Sequence, residues 1–281
     1  MTLLDLGGRR VELTTPDRVL WPAAGFTKRD LLDYYLRVAP VLLPHLADRP
    51  LTLGRFPEGV EGRGFAQTEC RGAPAWLRTE PIRLRGGEIR NYCVVEDDAG
   101  LAWLASLSVI ELHTFLGLDR PDSIVFDLDP GEPADIVDCA EVALLLRDRL
   151  GDEAVVKTSG SVGLHVFVPT TAPYEETRAF ARRVAEELEA AHGARVISTT
   201  DRAARTGKVL IDWMQNAPMR STVAPYSLRA APWPTVSTPV SWEEVTRCAA
   251  ERRPELLTFL AGDVLERVER LERVGELFLG R

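Results

Sequence analysis

The sequence predicts an α+β fold of mixed and antiparallel sheets flanked by helices, on three observations. Short runs rich in β-branched and aromatic residues, such as Ser123 to Asp129 and Lys208 to Trp213, stop at turn residues. Two longer segments, Asp135 to Leu150 and Tyr174 to His192, carry apolar residues at helical spacing and close on Gly151 and Gly193. Between those helices lie two strands, Ala154 to Thr158 and Leu164 to Val168, joined by the short loop Ser159-Gly160-Ser161-Val162-Gly163.

The remaining elements follow in order. Arg10 to Leu13 reads as a strand, and Thr27-Lys28-Arg29-Asp30 as a helix start with Thr27 as N-cap, after which Leu31, Tyr35 and Val38 share a face. An Arg-rich, turn-rich segment from Arg49 to Arg90 contains strand-like pieces at Pro50 to Gly54 and, at its far end, Ile89 to Val95. Residues 99 to 116 read as a largely buried helix, with His113 near its end, and Phe180, Val184 and Leu188 mark the inner face of the 174 to 192 helix. A Pro-punctuated stretch runs to Pro239, and Leu256, Leu260, Val264, Val268 and Leu271 mark a terminal helix. No repeat or flexible linker is visible, so a single domain over residues 1–281 is expected, with an N-terminal subregion of about 1–95 and a core of about 96–281.

A chain of 281 residues with 45% hydrophobic and 27% charged residues has the composition of a globular protein, which excludes disordered and fibrous classes. The longest apolar stretch, Ala99 to Leu112, is interrupted by Gly100, Ser106 and Ser108 and is shorter than the roughly 18 to 20 residues a membrane helix needs. The N-terminus lacks the pattern of a signal peptide, so a cytoplasmic protein without a membrane partner is expected. Cys70, Cys93, Cys139 and Cys248 form no CxxC pair, and reduced, packed thiols are expected. The net charge of −8 is unevenly spread: residues 1–95 sum to +3, 96–194 to −13, 195–229 to +4 and 230–281 to −2. Two mildly basic segments thus bracket an acidic one, so the whole-chain balance that would disfavour a polyanion does not describe every part of the chain.

Three groups of residues carry potential chemistry. Asp127 and Asp129 are two apart on a strand, so both carboxylates leave one face while Phe126 and Leu128 leave the other. Two such charges repel unless a cation lies between them, and hard cations take carboxylates plus substrate phosphates; alternatively, one Asp caps the turn at Pro130. The Ser159 to Gly163 loop, with His165 just after it, has small residues, hydroxyls and an imidazole suited to a phosphate, although it matches neither a P-loop nor a dinucleotide-binding fingerprint. A plain hairpin with a packed histidine is the alternative. Asp212 ends an otherwise apolar strand, where a shared cation or a partner such as Arg205 would offset its burial.

Phe-Asp-Leu-Asp-Pro-Gly (126–131), Lys-Thr-Ser-Gly-Ser-Val-Gly-Leu-His-Val (157–166) and Ile-Asp-Trp-Met-Gln-Asn (211–216), followed by Ala-Pro-Tyr-Ser-Leu-Arg (224–229), stand in the order of the three primase-polymerase motifs. The chain resembles the polymerase domain of bacterial ligase D and its stand-alone actinobacterial relatives, within the archaeo-eukaryotic primase superfamily. The resemblance implies an archaeo-eukaryotic primase-like catalytic core in which Asp127, Asp129 and Asp212 hold two Mn²⁺ or Mg²⁺ ions. It implies that Ser159, Ser161, His165, His113, Arg205, Gln215 and Arg229 handle an incoming NTP or dNTP, with ribonucleotides preferred. It further implies that Arg18 and Lys28 grip the 5′-phosphate of gapped or broken double-stranded DNA.

Two positions depart from that pattern: a basic residue usual after Arg49-Pro50 is replaced in Leu53-Gly54-Arg55, and Gln67 stands where lysine is common. No Lys-x-Asp-Gly motif occurs, so ligation is expected from a separate DNA ligase, with an end-binding protein as a further partner. The function implied is template-directed nucleotidyl transfer that fills short gaps in repair. Two alternatives are a non-catalytic gap- or end-binding module that recruits a ligase, and a DxD phosphatase, against which Gly131 counts because Thr or Val is usual there.

Overall fold

The computed structural model describes residues 2–201 and 203–270, and its chain divides into two compact units. The first holds the residues up to Thr114, Val223–Val236 and the segment from Leu260; the second holds Phe115–Thr222 and Ser237–Phe259.

The first unit opens on an antiparallel hairpin, β1 (Thr2–Leu6) and β2 (Arg9–Leu13), which turns at Gly7 and Gly8, both at positive φ. A second short pair, β3 (Val19–Trp21) and β4 (Phe26–Thr27), leads into α1 (Lys28–Leu46). The expected start of α1 is observed as a capping box: the Thr27 hydroxyl accepts from the Asp30 amide, and the Asp30 carboxylate accepts from the Thr27 amide. Leu31, Tyr35 and Val38 are all buried on one face, as their spacing predicts. There follow β5 (Leu51–Arg55), β6 (Phe65–Gln67), β7 (Thr79–Arg83), β8 (Ile89–Cys93), α2 (Asp98–Ser106) and β9 (Val109–Phe115). The strands form a sheet in the order β9-β5-β8-β7, with β6 also paired to β5.

Two expectations are corrected here. Residues 99 to 116 are not one helix, because α2 ends at Ser106 and Ser108, at φ 55°, turns the chain into β9. The apolar run fits either period, and the β-branched Val109-Ile110 pair after a left-handed turn decides for a strand. His113 is therefore a strand residue. Cys70 and Cys93 form a disulfide, with Cα atoms 5.0 Å apart. The Cys70 amide donates to the Asn91 carbonyl, so the folded chain juxtaposes two residues whose separation of 23 carries no pairing signal. Cys139 and Cys248 are buried free thiols, and burial pushes the Cys248 thiol up to about 11.

The second unit is built on β10 (Ser123–Pro130), α3 (Ile136–Leu150), β11 (Val155–Thr158), β12 (Leu164–Pro169), α4 (Tyr174–His192), β13 (Val196–Ile197) and β14 (Val209–Asp212). After β15 (Ser221–Val223) come β16 (Pro239–Val240) and α5 (Trp242–Glu251). The sheet order is β13-β14-β10-β12-β11-β16, antiparallel except for the β13–β14 pair. The α+β class is thus borne out. Phe126, Leu128, Leu164, Val166 and Ile211 are buried beneath α3, in a cluster that includes Val137, Ala140 and Leu146. Full burial of each large apolar side chain is worth roughly 1.5–3 kcal/mol, so this face fixes the strand register and hence the side on which the alternate residues emerge.

Beyond the end of β14, Asn216 continues the pairing of β10 with its side chain. Its Oδ1 accepts from the Val125 amide at 2.8 Å, and its Nδ2 donates to the Val125 carbonyl at 2.7 Å. Asn216 is fully buried, so Asn216→Ala orphans both backbone groups. It is expected to lower stability by about 2–3 kcal/mol, read as a reduced urea midpoint at unchanged slope.

The tail also differs from expectation. Pro254–Leu257 is a 3₁₀ turn, Leu260 bridges Thr235, and α6 (Ala261–Arg270) starts only there, with the Leu260 amide donating to Asp263; Leu271 lies outside the described residues. Among the described residues no helix is long and apolar enough to cross a membrane.

Candidate active site

Strand pairing in the second unit brings the predicted carboxylates together. Asp127 on β10 is directly opposite Asp212 on β14, and Asp129 leaves the same face two residues on. On the other side of β10, Asp127 is opposite His165 on β12, which in turn is opposite Lys157 on β11. One row across four strands therefore reads Asp212, Asp127, His165, Lys157. His165 Nε2 lies 3.2 Å from Asp127 Oδ1, and Lys157, fully buried, donates to the Ser237 hydroxyl at 2.7 Å.

Asp212 accepts from the Met214 amide at 2.8 Å and from Gln215 Nε2 at 3.4 Å. Burial raises its pKa, the Met214 bond opposes this, and the Asp127 charge adds to the rise. Arg205 Nη2 stands 4.0 Å from Asp129. The carboxylates share a face without being gathered into a ligand cage among the described residues. Mg²⁺-like ions keep water and need only one or two carboxylates, and the disfavoured Asp212 charge is the electrostatic condition that such a cation relieves, so the donor set fits.

The Ser159 to Gly163 loop is a hairpin connection between β11 and β12. Ser159 turns its hydroxyl inward, accepting from the Ser161 and Gly163 amides at 3.2 and 3.1 Å, while its own amide donates to the Gly163 carbonyl. Ser161 is exposed at the tip. The small residue at 163 has a second cause that the sequence does not display: a Cβ there would lie 2.0 Å from the Leu128 carbonyl oxygen.

In the first unit, His113 and Arg229 meet on one carboxylate that sequence reasoning passed over. Glu111 takes His113 Nε2 at 2.9 Å on one oxygen, and Arg229 Nε and the Ala230 amide, each at 3.0 Å, on the other. Burial alone would raise its pKa, but these donors hold it down at about 2.

Arg18 donates to the Pro57 carbonyl at 2.8 Å and pairs with Glu58. Lys28 is buried, its ammonium donating to the carbonyls of Ser106 at 2.7 Å and Thr14 at 3.2 Å. Its pKa is lowered first by burial and then by the nearby charges of Arg18 and Arg55. Three cations thus converge, and Arg55 is a member that the Arg-rich composition of the segment did not single out. Gln67 accepts from Arg55 Nη1 at 2.8 Å, and so orients that guanidinium.

Residues 27–274 match the family model of the LigD primase-polymerase domain. The chain is 41% identical to the multifunctional non-homologous end joining protein LigD of Mycobacterium bovis, over 93% of this chain and 37% of that protein. It is 31% identical to the corresponding Pseudomonas aeruginosa protein, over 90% of this chain and 32% of that one. The chain therefore spans about a third of the length of these relatives. Among solved structures, the polymerase domain from Mycobacterium tuberculosis ligase D in complex with DNA superimposes with a TM-score of 0.86 at 38% identity, covering 95% of this chain and 98% of that one.

Proposed function

Because the chain belongs to the LigD primase-polymerase domain family, a family of nucleotidyltransferases, we propose that it extends a primer 3′-hydroxyl opposite a template strand and so fills short gaps in broken or excised DNA. The observation that carries this reading is the face shared by Asp127, Asp129 and Asp212, with His165 against Asp127. Those three carboxylates would hold two Mn²⁺ or Mg²⁺ ions. Such ions, when bound, supply Lewis acidity at the attacking hydroxyl and charge neutralisation at the leaving pyrophosphate.

The other residues serve binding and orientation. Gln215 and the Met214 amide keep Asp212 aimed, and Arg205 sits beside Asp129 where an anionic group would arrive. Ser159 shapes the loop that presents Ser161, and His165 supports Asp127; Ser159, Ser161 and His165, with Arg205, His113, Gln215 and Arg229, form the nucleotide-handling set, taking NTPs in preference to dNTPs. Arg18 and Lys28, joined by Arg55, bind the 5′-phosphate downstream of the gap, in keeping with the +3 balance of residues 1–95, which form the DNA-contacting part of the domain. A DNA ligase seals the product in the cytoplasm, with an end-binding protein as a further partner at double-strand breaks.

The test is extension of a labelled primer on a gapped duplex with Mn²⁺ or Mg²⁺, ribo- or deoxyribonucleotides, and a downstream strand with or without its 5′-phosphate. Extension favouring ribonucleotides and stimulated by the phosphate is the expected result. Binding of the gap without incorporation under either metal would leave the chain a recruiting module.

A further inference from the structure

The convergence of two nucleotide-handling side chains on Glu111 has a simple origin. Glu111 and His113 are two apart on β9, so they leave the same face, while Leu112 between them is fully buried on the other. Arg229 reaches the same place from a distant part of the chain, at the base of a small hairpin closed by the Leu228–Val236 bridge and by the Arg229 amide donating to the Thr235 carbonyl. Trp21 Nε1 steadies the tip of that hairpin by donating to the Ala231 carbonyl. The two Glu111 oxygens then divide the partners, one taking His113 and the other taking both Arg229 and the Ala230 amide.

From this geometry we propose that Glu111 is a positioning residue, which sets the imidazole of His113 and the guanidinium of Arg229 in one fixed arrangement for the incoming nucleotide. The proposal rests on the reading above that these two residues handle nucleotide. Glu111 grips Arg229 through Nε and His113 through Nε2, which leaves Nδ1 of the imidazole to meet a ligand. Without the carboxylate, the imidazole and the guanidinium lose the shared acceptor that fixes their spacing, and the nucleotide would meet them in a less defined arrangement. The Glu111, His113 and Arg229 side chains are 16%, 23% and 22% exposed, so solvent weakens these contacts less than it does at an open surface.

The same carboxylate accounts for the departure at position 54. Gly54 on β5 is in register with Glu111, and a Cβ there would lie 2.8 Å from the Glu111 Cβ and 3.3 Å from its Oε2. The glycine is the space that the Glu111 side chain occupies. A basic side chain at 54 would displace Glu111 and compete with Arg229 for it.

The test compares Glu111→Gln, Gly54→Ala, His113→Ala and Arg229→Ala in the full chain, by steady-state extension, direct nucleotide binding and thermal unfolding. Glu111→Gln keeps one acceptor oxygen and loses the charge; Gly54→Ala keeps the charge and displaces the carboxylate. Each is expected to raise the nucleotide KM and Kd about tenfold with kcat within about threefold and gapped-DNA affinity unchanged, as loss of a charge-assisted hydrogen bond would do. If His113→Ala and Arg229→Ala raise KM while Glu111→Gln and Gly54→Ala do not, the proposal is overturned and the underlying reading stands. If none of the four moves KM, the reading of His113 and Arg229 fails, and the proposal with it. A fall in kcat and Tm at constant KM assigns Glu111 a structural role only and also overturns it.

Discussion

Asp127→Asn is expected to reduce primer extension by at least about 10³-fold while leaving gapped-DNA affinity equal or slightly improved. Asparagine preserves the volume of the side chain and one oxygen for His165 Nε2, so the strand register and the buried face formed by Phe126 and Leu128 are untouched. What is lost is one negative charge at the centre of the row, flanked by Asp212 across the strand and Asp129 on the same face. Metal-assisted stabilisation of transition-state charge is worth several kcal/mol, and each 1.36 kcal/mol is tenfold in rate. DNA affinity should not fall, because removing a carboxylate near phosphates removes repulsion.

Asp212→Asn adds a control of opposite sign. The Asp212 pKa is raised on folding, chiefly by burial, so its charged form opposes folding, and stability falls as pH rises through its titration. Asp212→Asn should therefore raise the unfolding midpoint near neutral pH while abolishing extension. Activity above a few per cent of wild type in either variant would sink the carboxylate assignment. A loss of stability in Asp212→Asn would instead mean that the carboxylate is a structural partner.

The parts of this site that were legible in sequence are those set by local periodicity. Asp127-Leu128-Asp129 declares its own geometry, since alternate residues on a strand share a face and Pro130-Gly131 ends the run. Asp212 stands out as a carboxylate after three apolar residues, and the Thr27–Asp30 cap needs only four residues to be recognised. The start of α5 is equally readable, because Ser241 and Glu244 form the same capping box just after the Pro-punctuated stretch that ends at Pro239. Other features depend on register between distant strands. Nothing within Glu111-Leu112-His113 says that Arg229 arrives beside the glutamate, or that Gly54 is opposite it. The 23-residue separation of Cys70 and Cys93 likewise becomes a bond only through the pairing of surrounding backbone. The apolar run from 99 to 116 is ambiguous because its hydrophobicity fits either period, and the turn at Ser108 that lets Val109-Ile110 start a strand is a backbone angle that the identity of serine does not announce.

Gly163→Ala is expected to be nearly as damaging as loss of a carboxylate, for a reason unrelated to phosphate chemistry. Small residues in the Ser159 to Gly163 loop suggest close approach of an anion, but at 163 the close neighbour is the protein itself. An added Cβ would stand 2.0 Å from the Leu128 carbonyl oxygen and 3.1 Å from its carbon, and neither belongs to a flexible side chain that can swing away. Leu128 is the residue between Asp127 and Asp129, buried among the core side chains under α3. The loop cannot yield freely either, since the Gly163 amide and carbonyl are both bonded to Ser159. Relief therefore requires β10 and the loop to part by more than an ångström. That moves the carboxylates and weakens the β10–β12 pairing that places His165 against Asp127. Overpacking of this kind costs about 1–3 kcal/mol, and a misplacement of about 1 Å at a reacting centre costs about 10²-fold in rate.

Gly86→Ala is the matched control, because a Cβ at Gly86 meets nothing within 4 Å and its backbone is not in the left-handed region. Urea unfolding and primer extension measured on both variants separate the cases: Gly86→Ala should stay within about 0.5 kcal/mol of wild type, as an ordinary surface change does. Equal stability of the two, with wild-type extension by Gly163→Ala, would show that the contact with Leu128 is not what requires glycine.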